Sequence, residues 1–297
     1  MEGLVKIGPW GGDDGDQRDI TVTPHRLDSI VIRFGAAVDA ISFTYAGIDG
    51  TPHTTGSWGG SGGEEHTVKF ADIEVVTEVS GTYGSYADYA CIIRSLTFVT
   101  NVRRHGPFGE SDKGTPFSIP VQNGGRVVGF FGRQLCTEKQ STGKSSLAAI
   151  ALSCQTVLQQ GMEGLVKIGP WGGRDGRPQD ITLAPHRLES IVIRCQGVVD
   201  AISFTYTAID GTSHNTASWG GSGGKKHKVK FGESLRDIYG PYGGHDGIIR
   251  SLTFVTNIRR HGPFGEPAEG TPFRIPVQNG GRVVGFFGRS GWFLDAF

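Results

Sequence analysis

The chain contains itself twice. Met-Glu-Gly-Leu-Val-Lys-Ile-Gly-Pro-Trp-Gly-Gly begins at Met1 and returns unchanged at Met162. The match runs on through Pro24-His25-Arg26-Leu27 and Pro185-His186-Arg187-Leu188, then through Asp39 to Tyr45 and Asp200 to Tyr206. After a gap the spacing shortens, and Ile92 to Phe98 pairs with Ile248 to Phe254, and Gly129 to Arg133 with Gly285 to Arg289. A repeat this long exceeds the roughly 20–50 residues of solenoid units, so each copy is a whole domain. A chain of 297 residues has room for two domains of ordinary size. The fold must therefore be one that the chain can build twice.

Within each copy the apolar pattern has strand period. Ile41, Phe43 and Tyr45 alternate with Ser42 and Thr44, and Leu96 and Phe98 alternate with Thr97 and Val99. Gly and Pro clusters break these runs, and Asn123-Gly124 predicts a type I′ hairpin turn. The 48 glycines, with no collagen triplet, fit many short strands joined by tight turns. No helical stripe interrupts the repeats, so the fold class is all-β.

Composition narrows the function. Lys plus Arg equals Asp plus Glu at 29 each, so no net field favours nucleic acid or an anionic membrane. No apolar run approaches the ~20 residues of a spanning helix, and membrane insertion is not expected. The start lacks a basic and apolar leader pattern, which predicts a cytoplasmic or nucleocytoplasmic protein. Cys91, Cys136, Cys154 and Cys195 have neither metal-ligand spacing nor matching positions in the two copies, and read as reduced apolar fillers. No metal or other cofactor is expected, and no nucleophile elbow or carboxylate pair marks an enzyme. Ser141 to Ser146 lacks the leading Gly of a phosphate loop. The basic segments Arg103-Arg104-His105, Arg259-Arg260-His261 and Lys225-Lys226-His227-Lys228 read as solvated loops carrying too little charge for nucleic acid.

The recurring motifs resemble those of the jacalin-related lectins: Gly-Pro-Trp-Gly-Gly at each start, a glycine loop at 220–224, Gly-Pro-Phe-Gly at 262–265, Gly-Thr-Pro-Phe at 270–273 and Gly-Phe-Phe-Gly-Arg-Ser-Gly at 285–291. The resemblance implies two tandem β-prism domains, each of three four-stranded antiparallel sheets about a pseudo-threefold axis. It also implies sugar sites in loops at one end, with no metal. The glycines that a processed galactose-binding member would expose lie here inside a continuous chain, so the mannose/glucose-binding kind is the closer match. The implied partners are mannose- or glucose-containing glycans and glycoproteins, with oligomerisation and a plant stress or defence role. A scaffold or protein-interaction module with degenerate sugar sites is the alternative.

The primary site implied by the resemblance is the Gly-x-x-x-Asp loop Gly291, Trp292, Phe293, Leu294 and Asp295, facing a glycine loop that ends at Gly176. The chemistry stands on its own terms. An ionised Asp295 accepts from two sugar hydroxyls at once, and charge-assisted bonds are the strong ones. The N–H groups of Trp292 and Phe293 would donate, and Gly176 lets backbone approach a hydroxyl with no Cβ in the way. A possible second site lies in the first copy, where Gly35, Ala36, Ala37 and Asp39 face the glycine loop ending at Gly63. In the second copy Gln196 replaces the leading glycine of that loop, which puts its backbone geometry in question.

The first copy departs from the pattern at its primary site. Direct continuation places Leu135 and Lys139 at the positions of Gly291 and Asp295, whereas an insertion would place Ala148 opposite Asp295. Either way the carboxylate is gone. The expected domains are 1–133, with 147–158 as a candidate closing segment, a divergent stretch over 134–161, and 162–297, which stops short of the family's final strand. Closure by 147–158, strand exchange and a shortened gene product are the alternatives for that strand.

Overall fold

A computed structural model describes residues 4–135, 146–156, 165–244, 246–278 and 280–297. The chain separates into two compact units, Met1–Leu158 with Glu163–Ile168, and Gln159–Met162 with Gly169–Phe297. Among the described residues every strand pairing is antiparallel.

Unit 1 is built from three sheet faces, of which the first and third are joined by the single pairing of Val127 with Val76. The first orders Leu4–Gly11, Ser146–Thr156, Gly125–Leu135 and Asp16–Arg18. The second orders Glu64–Lys69, Pro24–Phe34 and Val38–Gly47, with the short strands Pro52–Thr54 and Trp58–Gly59 sharing the far side of Val38–Gly47. The third orders Arg104–Gly109, Tyr89–Thr100, Val76–Tyr86 and Thr115–Gln122. Lys167–Ile168 adds to the edge of Thr115–Gln122. Each sheet sends one phenylalanine to the centre: Phe43, Phe98 and Phe130 are buried and meet at centroid distances of 5.2 Å and 5.9 Å about Phe130. Edge-to-face aromatic pairs of this kind add about 0.5–1.5 kcal/mol each beyond their burial. The centre of the prism is thus filled by one aromatic from each of three strands. Asn123 and Gly124 both have positive φ, at 55° and 73°, as the type I′ turn demands.

Unit 2 repeats the plan. Arg177–Gln179, Gly288–Ser290 and Leu294–Ala296 form its first sheet. Lys225–Lys230, Pro185–Cys195 and Val199–Ala208 form the second, flanked by Ser213–Asn215 and Trp219–Gly220. Arg260–Gly265, Ser251–Thr256, Leu235–Tyr242 and Thr271–Arg274 form the third. Phe204, Phe254 and Phe286 make the matching central cluster. Trp171 and Phe297 exchange both backbone hydrogen bonds at 2.9 Å, as their counterparts Trp10 and Ile150 pair in unit 1. That register places Ala148 where unit 2 has Asp295: Gly12 donates to the Ala148 carbonyl at 3.0 Å, and Gly173 to the Asp295 carbonyl at 2.8 Å. The insertion alignment is therefore the structural one.

The three basic segments are not solvated loops. Arg104 opens a strand, and its neighbours close over a carboxylate that the sequence reading passed by. The Glu74 side chain is 1% exposed and accepts from Thr100 Oγ1 at 2.8 Å, His105 Nε2 at 3.2 Å and Arg103 Nε at 3.3 Å. Burial alone would raise its pKa, but the bonds from His105, Thr100 and Arg103 hold it down to about 2. Glu233, bonded by Arg259 and Thr256, is the counterpart in unit 2, and its pKa is also lowered. Lys225–Lys230 is likewise an edge strand. Cys91, Cys154 and Cys195 are free thiols, with the last two buried. Cys136 and Lys139 lie outside the described residues. Among the described residues no helix is long and apolar enough to cross a membrane, and no cluster of metal-ligating side chains occurs.

Candidate functional site

The strand Gly288–Ser290 ends in a tight turn, closed by the Gly291 N–H donating to the Phe293 carbonyl at 3.1 Å. The next strand, Leu294–Ala296, then carries Asp295 back beneath the turn. Gly176 lies opposite with φ +68°, a left-handed conformation that side chains resist. A Cβ on Gly176 would collide with the Asp295 carboxylate and come to 2.5 Å from the Ser290 carbonyl carbon. Arg289 fixes this facing loop by donating to the Asp175 carbonyl at 2.9 Å and the Gly176 carbonyl at 2.8 Å. The structure therefore brings Gly176, Gly291 and Asp295 together. Phe293 is 37% exposed and Trp292 85% exposed, so the indole stands clear of the core.

Asp295 is 6% exposed, yet its Oδ2 is buried without a hydrogen-bond partner. Such an acceptor is costly unless something comes to satisfy it. Burial raises the pKa of Asp295, and the negative charges of Asp175 and Asp246 push the same way; the Gly291 N–H and Arg289 oppose them.

The same construction recurs at Asp39. Gly35 N–H donates to the Ala37 carbonyl at 3.0 Å, and Asp39 is the second residue of the strand that follows. Opposite it, Cβ atoms on Gly62 and Gly63 would lie 2.8 Å and 2.7 Å from its two oxygens. Arg33 reaches the Gly62 carbonyl at 3.2 Å and also pairs with Glu65 at 2.7 Å. Ala36 is half-buried and Ala37 buried beneath the turn.

The loop at Asp200 corrects the expectation that Gln196 disturbs the backbone. Gln196 N–H donates to the Val198 carbonyl at 3.1 Å, closing the same turn. Neither Gly35 nor Gly291 has positive φ, and a Cβ on Gly35 would meet nothing within 4 Å. The leading position needs no glycine. The facing glycine does: Gly224 has φ +64° and lies against the Asp200 carboxylate. Arg194 donates to the carbonyls of Ser222, Gly223 and Gly224 at 2.9, 3.2 and 3.2 Å. The missed signal was an arginine two positions before each turn, at Arg33, Arg194 and Arg289. In unit 2 the loops at Asp200 and Asp295 are neighbours, because a Cβ on Gly221 would collide with the Trp292 carbonyl.

The fourth position is altered. Arg133 still donates to the Gly15 carbonyl at 2.9 Å, but Leu135 stands in place of Gly291 and the buried Ala148 in place of Asp295. Gln134 turns instead to the neighbouring loop, accepting from the Gly59 N–H at 3.1 Å.

Residues 7–138 and 168–297 each match the jacalin-like lectin domain. A mannose/glucose-specific lectin of Parkia pendula is 35% identical over 311 aligned residues, covering 99% of this chain and 64% of that protein. The chain thus spans about two thirds of that relative's length. An agglutinin of Castanea crenata is 31% identical over 317 aligned residues, covering 100% of this chain and 97% of that protein. Among solved structures, a mannose-binding jacalin-related lectin from Ananas comosus is 39% identical, covering 52% of this chain and 99% of that one, with a TM-score of 0.46.

Proposed function

Because this chain belongs to the jacalin-related lectins, a non-enzymatic family, and carries two jacalin-like domains in tandem, we propose that it binds mannose- or glucose-type glycans reversibly through the loops that end in Asp39, Asp200 and Asp295. The observation that carries this reading is the buried, unpartnered Oδ2 of Asp295, set between Gly176 and Gly291. A sugar hydroxyl donates to that oxygen, and a second hydroxyl donates to Oδ1. The N–H groups of Trp292 and Phe293 donate to sugar oxygens across the turn. Gly176, pinned by Arg289, leaves room for the ring to approach the facing backbone. No bond is made or broken in the sugar.

The first domain works through Asp39 alone, since the buried Ala148 supplies no carboxylate at its other loop. A single shallow site has few contacts, so affinity near the millimolar range, about −4 kcal/mol, is the expected scale. Several weak sites on one chain then give useful avidity on a branched glycan. Isothermal titration with methyl α-mannoside and methyl α-galactoside tests the reading. Mannoside heat that diminishes in Asp295→Ala supports it, and a folded wild-type protein that binds neither sugar overturns it in favour of a scaffold role.

A further inference from the structure

We infer that the sheet edge leaving the Asp200 loop is a track for anionic groups, so that unit 2 prefers mannose-type glycans bearing phosphate, sulfate or carboxylate substituents. The inference rests on the reading of the Asp200 loop as a sugar site.

The two copies keep the same edge strand but reverse its charge. Lys225–Lys230 follows directly on Gly224 and carries four lysines, whereas its counterpart Glu64–Lys69 carries two glutamates and one lysine. The inward positions are held alike. His227 packs on Phe264 at 5.4 Å as His66 does on Phe108 at 5.2 Å, and Val229 and Val68 are buried. Strand alternation therefore puts Lys226, Lys228 and Lys230 together on the outward face, about 7 Å apart. Protecting a sheet edge from pairing does not explain the reversal, because either sign of charge does that work.

Electrostatics supplies the second observation. In unit 1 Arg33 lies opposite Glu65 and pairs with it at 2.7 Å. In unit 2 the corresponding Arg194 lies directly opposite Lys226. Like charges facing each other across a ladder are destabilising, and no described carboxylate pairs with Lys225, Lys226, Lys228 or Lys230. Glu189, the acid on the adjacent strand, is engaged by Thr207 and Ser213. The arrangement lacks an anion that the unit 1 copy supplies from its own chain. A phosphate, sulfate or carboxylate on a sugar next to the one held at Asp200 would fill that place.

The test compares phosphomannan with the same polysaccharide after its phosphates are removed, using the full chain in biolayer interferometry at low and high salt. The wild type should bind phosphomannan at least about tenfold more tightly at low salt, with the preference shrinking as salt screens it. The combined variant Lys225→Glu, Lys226→Glu, Lys228→Thr, which copies the residues of unit 1, should bind both forms equally, with binding of the dephosphorylated form unchanged as its folding control. The pair Lys226→Arg, Lys228→Arg should keep the preference. Equal binding of the two polysaccharides by the wild type would overturn the track while leaving the sugar reading standing. Binding of neither would remove both. A preference that survives the combined variant, or duplex DNA held as tightly as phosphomannan, would also overturn it.

Discussion

Replacing Gly176 by alanine should damage unit 2 and its sugar binding far more than replacing Gly291, although both glycines belong to the same site. Gly176 has φ +68°, and an alanine held there costs roughly 1–2 kcal/mol. Its Cβ would also overlap the Ser290 carbonyl carbon at 2.5 Å and the Asp295 carboxylate, and overpacking of that sort adds roughly 1–3 kcal/mol. The sum is about 2–5 kcal/mol, part of it spent moving the carboxylate that accepts the sugar. Gly291 has ordinary φ, and its added Cβ would sit 3.3 Å from Asp295 Oδ2, so Gly291→Ala should cost less than about 1 kcal/mol. Calorimetric unfolding with unit 1 as internal reference, together with mannoside titration, reads both effects. Equal melting and equal binding for the two variants would refute the assignment of Gly176 as the glycine that geometry requires.

Three further outcomes follow from the same geometry. Gly35→Gln, which copies Gln196, should leave the stability of unit 1 within about 0.5 kcal/mol by denaturant titration, because a Cβ there meets nothing within 4 Å. Glu74→Gln should destabilise unit 1 by about 3 kcal/mol in the same assay at neutral pH, since its carboxyl falls from 4.5 to about 2 on folding. That stabilisation is fully present above the unfolded value of 4.5 and is lost as pH falls toward about 2. Mannoside binding by the Asp295 loop requires the ionised carboxylate, whose pKa is raised by burial, so binding should be present at neutral pH and be lost on acidification, with a midpoint higher than the ordinary value of 3.8.

The alternation around Phe43 and Phe98 made the strands legible, whereas the three-sheet arrangement came only from the family resemblance, and the meeting of Phe43, Phe98 and Phe130 at the centre could not be read from spacing. The loop at Asp295 was legible only through its place behind Gly-Phe-Phe-Gly-Arg-Ser, because a glycine four residues before an aspartate is common by chance. What the residues hid was which glycine matters. A motif written as Gly-x-x-x-Asp treats the leading glycine as essential, yet the left-handed residue is the facing one, and the Gln196 loop was discounted for that reason. Both alignments of the first copy removed the carboxylate, but which residue replaces it depended on register across an insertion, and the pairing of Trp10 with Ile150 together with the Gly12 bond to Ala148 fixes it. Arg103 and His105 looked solvated because their partner Glu74 lies 29 and 31 residues away, in the loop that leads into Val76–Tyr86.

Counting bound sugars per chain is the most direct test of the carboxylate loops. Native mass spectrometry of the intact chain saturated with methyl α-mannoside should show three bound molecules, falling to two for Asp295→Asn and to none when Asp39, Asp200 and Asp295 are all replaced by asparagine. A count unchanged by Asp295→Asn would contradict the account.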